Sequence, residues 1–227
     1  MARLYGVSIG PGDYELMTLK AIRVLKASEV IAVPRTKNEN TMALSIIQNG
    51  IDLSDKEILY CDFPMTRDKN VCEKNYEKIS VRIMQYLDRG RDVAFITIGD
   101  VSIYSTFSYI ARLCIRAGYD VESVPGVPSF LAIAAKLNQP LARGNEDILI
   151  MSGKSKNFDE LMKTDTNKVI MKGNKSIDKI KALVEEEEVF RGKKIMGMED
   201  FGLATEKVYN NADEIGECGY FTTLIIG

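Results

Sequence analysis

The chain has 227 residues, 45% hydrophobic and 27% charged, with a formal net charge of −2 and no histidine. This composition suits one large or two small globular domains, and it lacks the basic stripe of a nucleic-acid binder. Without histidine, a Ser-His-Asp triad, the common zinc sites and imidazole acid–base catalysis are excluded.

In the first 125 residues strand and helix signals alternate. Strands are expected at 3–9, 30–33, 57–61, 92–98 and 120–124, and helices at 15–26, 41–48, 71–89 and 102–116. In the third helix Cys72, Tyr76, Ile79, Ile83 and Leu87 recur at helical spacing and make one apolar face. Gly90 and Gly118 follow two helices as C-terminal caps. Such alternation implies a mostly parallel sheet with helices on both faces. Pro125-Gly126-Val127-Pro128 is the strongest punctuation and is read as the hinge between a domain at 1–125 and one at 126–227. The second begins with a helix at 129–137. Strands follow at 147–151, 168–172, 193–199, 206–210 and 221–226, the last without full helices between them. That half is therefore expected to be a mixed or antiparallel α/β unit. A helix from about 176 ends in the acidic run Glu185-Glu186-Glu187-Glu188, read as a solvated surface.

No apolar run approaches the ~18 residues of a membrane span. Met1-Ala2-Arg3-Leu4 leads straight into strand-like sequence with no signal-peptide pattern, so a cytoplasmic protein with no membrane partner is expected. Cys61, Cys72, Cys114 and Cys218 form no Cys-x-x-Cys pair and read as structural thiols; no metal site is expected. The basic pairs Arg35/Lys37, Arg67/Lys69 and Lys154/Lys156 read either as solvated surface or as a clamp for a polyanionic ligand.

Two familiar phosphate motifs fail. A G-x-G-x-x-G fingerprint beginning at Gly10 would need glycine where Glu15 stands, and Pro11 has no N–H to offer. Ser152-Gly153-Lys154-Ser155 ends like a phosphate loop, but the required upstream glycine is Ile148.

A repeated device remains: an apolar strand that ends in Gly-Asp. The first copy runs from Leu4 to Gly10-Pro11-Gly12-Asp13 and the second from Val93 to Gly99-Asp100. Ligands of open parallel sheets collect at such strand ends. Asp100 could orient a zwitterionic amino-acid ligand, or could simply cap the next helix with Ser102, Ser105 and Thr106. Spacing alone leaves both open.

Four segments in register carry a resemblance: Val7-Ser8-Ile9-Gly10-Pro11-Gly12-Asp13, Gly99-Asp100, Val124-Pro125-Gly126-Val127 and Val169-Ile170-Met171-Lys172-Gly173. Together the chain resembles the tetrapyrrole (corrin/porphyrin) methylases along essentially its whole length. Ser8 stands where that family has a glycine, and Ile98 and Val101 replace a glycine and a proline of its second turn. The string Ser102-Ile103-Tyr104-Ser105-Thr106 resembles the branch that methylates precorrin-2 or cobalt-factor II at C-20 on the way to cobalamin.

The resemblance implies a two-domain α/β fold with the active-site cleft between the domains, S-adenosylmethionine as methyl donor, S-adenosylhomocysteine as product, a tetrapyrrole substrate and a homodimer. Carried over by motif position, Pro11, Ile98, Gly99, Asp100, Ile103, Pro128, Ser129, Met171, Asp200, Phe201 and Gly202 would bind the cofactor. Asp13, Arg35, Lys37 and Tyr104 would face the substrate. Pro34 occupies the place of an aspartate base of the uroporphyrinogen methylases, so that role does not transfer, and no proton acceptor is assigned. The alternatives are a same-fold methyltransferase acting on another ring carbon or, as diphthine synthase does, on a protein; and a non-catalytic S-adenosylmethionine sensor.

Overall fold

A computed structural model describes residues 2–35, 42–66 and 68–227, which divide into two compact units, Met1–Pro128 and Ser129–Gly227. The first unit is built on a five-stranded, wholly parallel sheet. Its strands are β1 (Arg3–Ser8), β2 (Val30–Arg35), β3 (Glu57–Asp62), β4 (Val93–Thr97) and β5 (Asp120–Val124), in the order β3-β2-β4-β1-β5. Four α-helices connect them: α1 (Leu19–Ala27), α2 (Met42–Gln48), α3 (Lys69–Leu87) and α4 (Phe107–Arg116).

Strand residues bury both faces of this sheet, as parallel order demands. On one face Leu4, Val30, Ala32, Leu59, Val93 and Phe95 pack with Ile79, Ile83 and Leu87 of α3 and Phe107, Ile110 and Cys114 of α4. Tyr76 of α3 stacks on Tyr109 of α4, with centroids 4.7 Å apart. On the other face Val7, Ile31, Val33 and Ile96 are buried, while α1 lies on β1 and α2 on β2. All four cysteines are free thiols, and burial pushes Cys61 up to about 12 and Cys114 up to about 11, which makes both inert.

The helix starts differ from the sequence expectation. The pattern at 15–26 divides into a 3-10 turn at Tyr14–Leu16 and α1, because Asp13 and Thr18 each cap a separate start: Asp13 accepts the Glu15 N–H and Thr18 the Ala21 N–H. The helix expected from Ser102 begins only at Phe107. The start expected at Thr41 lies outside the described residues.

The second unit carries a mixed sheet in the order β6-β7-β10-β8-β9: β6 (Ile148–Ser152), β7 (Asn167–Met171), β8 (Ile195–Glu199), β9 (Lys207–Tyr209) and β10 (Thr223–Ile226). Only β6 and β7 run parallel. Its helices are α5 (Ser129–Lys136), α6 (Phe158–Met162), which is too short to show as a periodic pattern, and α7 (Ile177–Glu186). Among the described residues no helix is long and apolar enough to cross a membrane.

Lys168 is fully buried in this unit, its ammonium donating to Thr164 O (2.6 Å) and Thr166 O (2.9 Å) and lying 5.0 Å from the Phe190 ring centroid. Burial, with Lys193 nearby, lowers its pKa to about 8 from the usual 10.5. Between those two values the unfolded chain holds a proton that the folded chain lacks, so this group makes stability rise with pH across that window. Denaturant titrations at about pH 7 and about pH 10 should show the native chain gaining on the order of 2 kcal/mol relative to Lys168→Met. Parallel pH profiles for the two proteins would remove Lys168 from this account.

Candidate functional site

The sheet order makes β1 the neighbour of both β4 and β5, so three strand ends meet at one place. Ile9 donates its N–H to Thr97 O (2.9 Å), and Gly99 donates its N–H to Gly10 O (2.7 Å), which makes an antiparallel bridge between the two Gly-Asp turns. The turns are thus joined by their backbones.

Asp100 is the knot of this arrangement. Its Oδ1 accepts the Ser102 N–H (2.8 Å) and the Ser102 hydroxyl, and its Oδ2 accepts the Gly126 N–H (2.8 Å) from beyond β5. Burial pushes the carboxyl pKa upward, but the bonds from Ser102, Gly126 and Ser8 outweigh it and hold the group below its usual 3.8. It caps no helix. Ser102 is accordingly committed to Asp100, while Ser105 Oγ accepts the Phe107 N–H (3.1 Å) at the start of α4, whose N-cap residue Thr106 makes no side-chain capping bond.

Ser8 is the residue that sequence reasoning passed over, noting it only as a departure from the family pattern. It is completely buried, and its Oγ accepts the Val101 N–H (3.0 Å). Gly126 passes so close that a Cβ there would lie 2.5 Å from Ser8 Cβ and 3.1 Å from Gly99 O. A small polar residue between the apolar Val7 and Ile9 was the available signal.

The remaining first-unit candidates lie in the two Gly-Asp turns and the segment after the second, or, for Arg35, at the end of β2. Pro11 is buried between Gly10 and Gly12, and Asp13 accepts the Glu15 N–H (2.9 Å) through Oδ1. Ile98 leads into Gly99; Ile103 closes a turn by donating its N–H to Asp100 O (3.2 Å). Tyr104 follows, 47% exposed and in the left-handed region at φ 50°. Strained backbone of that kind gathers at ligand sites. Arg35 ends β2 and is committed to Asp62 by two hydrogen bonds (2.6 and 3.1 Å), with its guanidinium 4.8 Å from the Tyr60 centroid. That pair holds Asp62 below the usual carboxylate range. Lys37 and Arg67 lie outside the described residues.

Pro128 is the last residue of the first unit. In the second unit the candidates gather at one end of the sheet. The register sets Met171 of β7 and Met198 of β8 on either side of Thr223 in β10, and Ser129 Oγ is 3.4 Å from Thr223 Oγ1. Just beyond β8, Asp200 takes a left-handed conformation (φ 53°) and accepts the Thr205 hydroxyl (2.7 Å). Gly202 donates its N–H to Glu206 (2.8 Å), and Lys136, paired with Glu206, lies 5.3 Å from the Phe201 centroid. Glu199 is buried, and its carboxylate accepts the Tyr209 hydroxyl (2.8 Å) and the Gly219 N–H (2.7 Å). Among the described residues no cluster of His, Cys, Asp or Glu could hold a metal ion.

Chemically, the first unit presents an anionic turn with its acceptors organised and open space over Gly99, where an added Cβ would meet no atom within 4 Å.

Known proteins share both the sequence and the fold. A probable cobalt-precorrin-2 C(20)-methyltransferase of Methanocaldococcus jannaschii is 41% identical over 150 residues, 66% of this chain and 63% of that protein. A cobalt-precorrin-2 C(20)-methyltransferase of Salmonella typhimurium is 28% identical over 232 residues, 99% of this chain and 95% of that protein. The crystal structure of a uroporphyrin-III C-methyltransferase from Thermus thermophilus, complexed with S-adenosylhomocysteine, superposes with a TM-score of 0.69 at 22% identity, covering 100% of this chain and 97% of that one. Residues 3–216 match the family described as Tetrapyrrole (Corrin/Porphyrin) Methylases, a span that takes in the Gly-Asp turns, the Pro-Gly-Val segment, Met171 and the Asp200 turn; this chain belongs to that family.

Proposed function

We propose that this chain transfers a methyl group from S-adenosylmethionine to C-20 of cobalt-precorrin-2. The observation that carries the reading is the match over 99% of the chain to the Salmonella protein of that name. When bound, the cofactor supplies a sulfonium methyl that is already activated toward an electron-rich ring carbon. In this reading the methionine end lies over Gly99 and against the turn that Asp100 organises, with Pro11, Ile98 and Ile103 beside it. Ser129, Met171 and the Asp200-Phe201-Gly202 turn meet the adenosine, and Pro128 flanks Ser129. Asp13, Arg35, Lys37 and Tyr104 belong to the substrate side, Arg35 while it stays paired with Asp62.

The protein's task is alignment. Holding donor and acceptor in line is worth roughly 7–11 kcal/mol, so no histidine is needed. Transfer would form the methyl–C-20 bond as the S–CH3 bond breaks with its electron pair kept by sulfur, and the hydrogen at C-20 would leave as a proton to water; loss of the sulfonium charge would favour a site that the surrounding side chains keep dry.

Incubating the purified chain with methyl-labelled S-adenosylmethionine and either cobalt-precorrin-2 or metal-free precorrin-2 tests this directly. Label at C-20, faster with the cobalt form, is the expected result. Label at another carbon, or cofactor binding with no transfer to either macrocycle, overturns it. The same reading includes a cytoplasmic homodimer, for which the expected solution mass is twice 25.4 kDa. Arg35→Ala is expected to raise the KM for the macrocycle about tenfold, the scale of one charge-assisted bond, and to leave the KM for the cofactor unchanged. An unchanged macrocycle KM would confine Arg35 to its pairing with Asp62.

A further inference from the structure

Glu199 closes β8, a strand otherwise made of Ile195, Met196, Gly197 and Met198, and it is only 7% exposed. A buried carboxylate costs free energy unless hydrogen bonds replace its water. Here they come from two separate segments. Oε1 accepts the Gly219 N–H (2.7 Å), in an approach so close that there is no room for a Cβ on Gly219. Oε2 accepts the hydroxyl of Tyr209 in β9 (2.8 Å), and the Lys207 ammonium stands 3.5 Å away. The Lys207 side chain is 58% exposed, so the two hydrogen bonds are the main support of the charge. Burial and the bond to Glu199 raise the Tyr209 pKa above its usual 10, which keeps the phenol a donor.

On both sides Glu199 leads to cofactor candidates. Along the chain it is followed directly by the left-handed Asp200 and then by Phe201 and Gly202. Across the sheet, the Gly219 carbonyl accepts the Thr222 hydroxyl (2.9 Å), and Thr222 is fully buried. Thr223 comes next, between Met171 and Met198, with its hydroxyl 3.4 Å from that of Ser129. One carboxylate therefore fixes the Asp200 turn relative to the run from Gly219 to Thr223. Every residue in this chain of contacts belongs to the second unit.

We propose that Glu199 is a positioning residue for the adenosine end of S-adenosylmethionine. This rests on the methyltransfer reading, which sets Ser129, Met171 and the Asp200-Phe201-Gly202 turn against that end. Glu199 acts at one remove, through Asp200 on one side and Thr223 on the other. Packing by itself would be served by a leucine of similar size, without the cost of a buried charge. A carboxylate supplies two acceptors aimed at two different segments, so the turn and the run meet in one arrangement only.

The test titrates the full chain with S-adenosylhomocysteine and with methylthioadenosine, which carries the adenosine end without the amino-acid end. Glu199→Leu removes both bonds and keeps the bulk, while Tyr209→Phe removes one. Glu199→Gln can keep both, because its amide oxygen accepts from Gly219 while its NH2 donates to the Tyr209 oxygen. Tyr209→Phe should weaken both ligands about fivefold, the scale of one hydrogen bond, and Glu199→Leu at least about tenfold. Glu199→Gln should stay within about twofold of the wild type. In turnover Tyr209→Phe and Glu199→Leu should raise the cofactor KM and retain the macrocycle KM and the kcat at saturating cofactor. A merely structural role would lower the melting temperature and leave the affinities of the folded chain unchanged. If Glu199→Leu does not fold, the other two variants decide the matter. Wild-type affinity in Tyr209→Phe, a loss confined to S-adenosylhomocysteine, or a Glu199→Gln weaker than Tyr209→Phe overturns the assignment. If the wild type methylates C-20 while the variants keep its cofactor affinity, the positioning role falls and the reaction stands. If both ligands bind through Glu199 but label reaches another carbon or none, the reaction falls and the positioning role stands. A wild type that binds neither ligand overturns both.

Discussion

Asp100→Ala should lower kcat/KM about a hundredfold or more with respect to S-adenosylmethionine, the equivalent of about 2.7 kcal/mol, and should destabilise the first unit as well. The substitution removes the acceptors of three donors at once: the Ser102 N–H, the Ser102 hydroxyl and the Gly126 N–H. Each donor left without a partner costs about 1–3 kcal/mol where water cannot replace the carboxylate. Asp100→Asn keeps one carbonyl oxygen, so either Ser102 or Gly126 loses its acceptor and an intermediate loss is expected. The pH dependence has a definite sign. The folded carboxyl pKa lies below the usual 3.8, so the stabilisation is complete above the unfolded value and is lost as pH falls through the folded one. Denaturant midpoints for the wild type and Asp100→Ala should therefore differ most at neutral pH and converge in acid. A cofactor affinity equal to that of the wild type would assign Asp100 to folding alone.

Gly126→Ala should be nearly as damaging, through packing instead of charge. Its new methyl group would lie 2.5 Å from Ser8 Cβ and 3.1 Å from the Gly99 carbonyl, and neither neighbour can move without shifting a strand end. Overpacking at a site held this firmly costs about 1–3 kcal/mol. It also displaces the N–H that Asp100 accepts, so cofactor binding should weaken together with stability. Ser8→Gly alone deletes the acceptor of the Val101 N–H and should destabilise modestly. In combination, however, Ser8→Gly removes the atom that the Gly126→Ala methyl meets. The double variant should therefore be more stable than the two single losses added together, by a coupling of about 0.5–3 kcal/mol in thermal or denaturant unfolding. Simple additivity would show that Ser8 and Gly126 do not share this contact.

The same contacts explain which parts of the molecule were legible beforehand. Strand and helix order in the first unit followed from apolar runs and turn residues, because parallel strands are buried on both faces and leave continuous hydrophobic segments such as Val93-Ala94-Phe95-Ile96. The helix start at Phe107 was not legible, since five polar or mixed residues before it satisfy helical spacing equally well, and it is the Ser102–Asp100 bond, the left-handed Tyr104 and the Ser105–Phe107 bond that keep them out of the helix. Helix α6 has five residues, fewer than two turns, and leaves no period to read.

By itself the sequence determined the strand–helix alternation, the mixed second half, the absence of histidine chemistry and, through four motifs in order, the family. These are properties of neighbouring residues, or of their spacing, and they survive projection onto a line. Only the tertiary structure decided that the two Gly-Asp turns are joined as one backbone unit, that Ser8 and Gly126 meet, and that Arg35 is engaged by Asp62. It also decided that Glu199 meets Tyr209 and Gly219, ten and twenty positions further on. The reason is sheet order: β1 lies between β4 and β5, and β8 between β10 and β9, and strand adjacency is set by packing over the whole sheet.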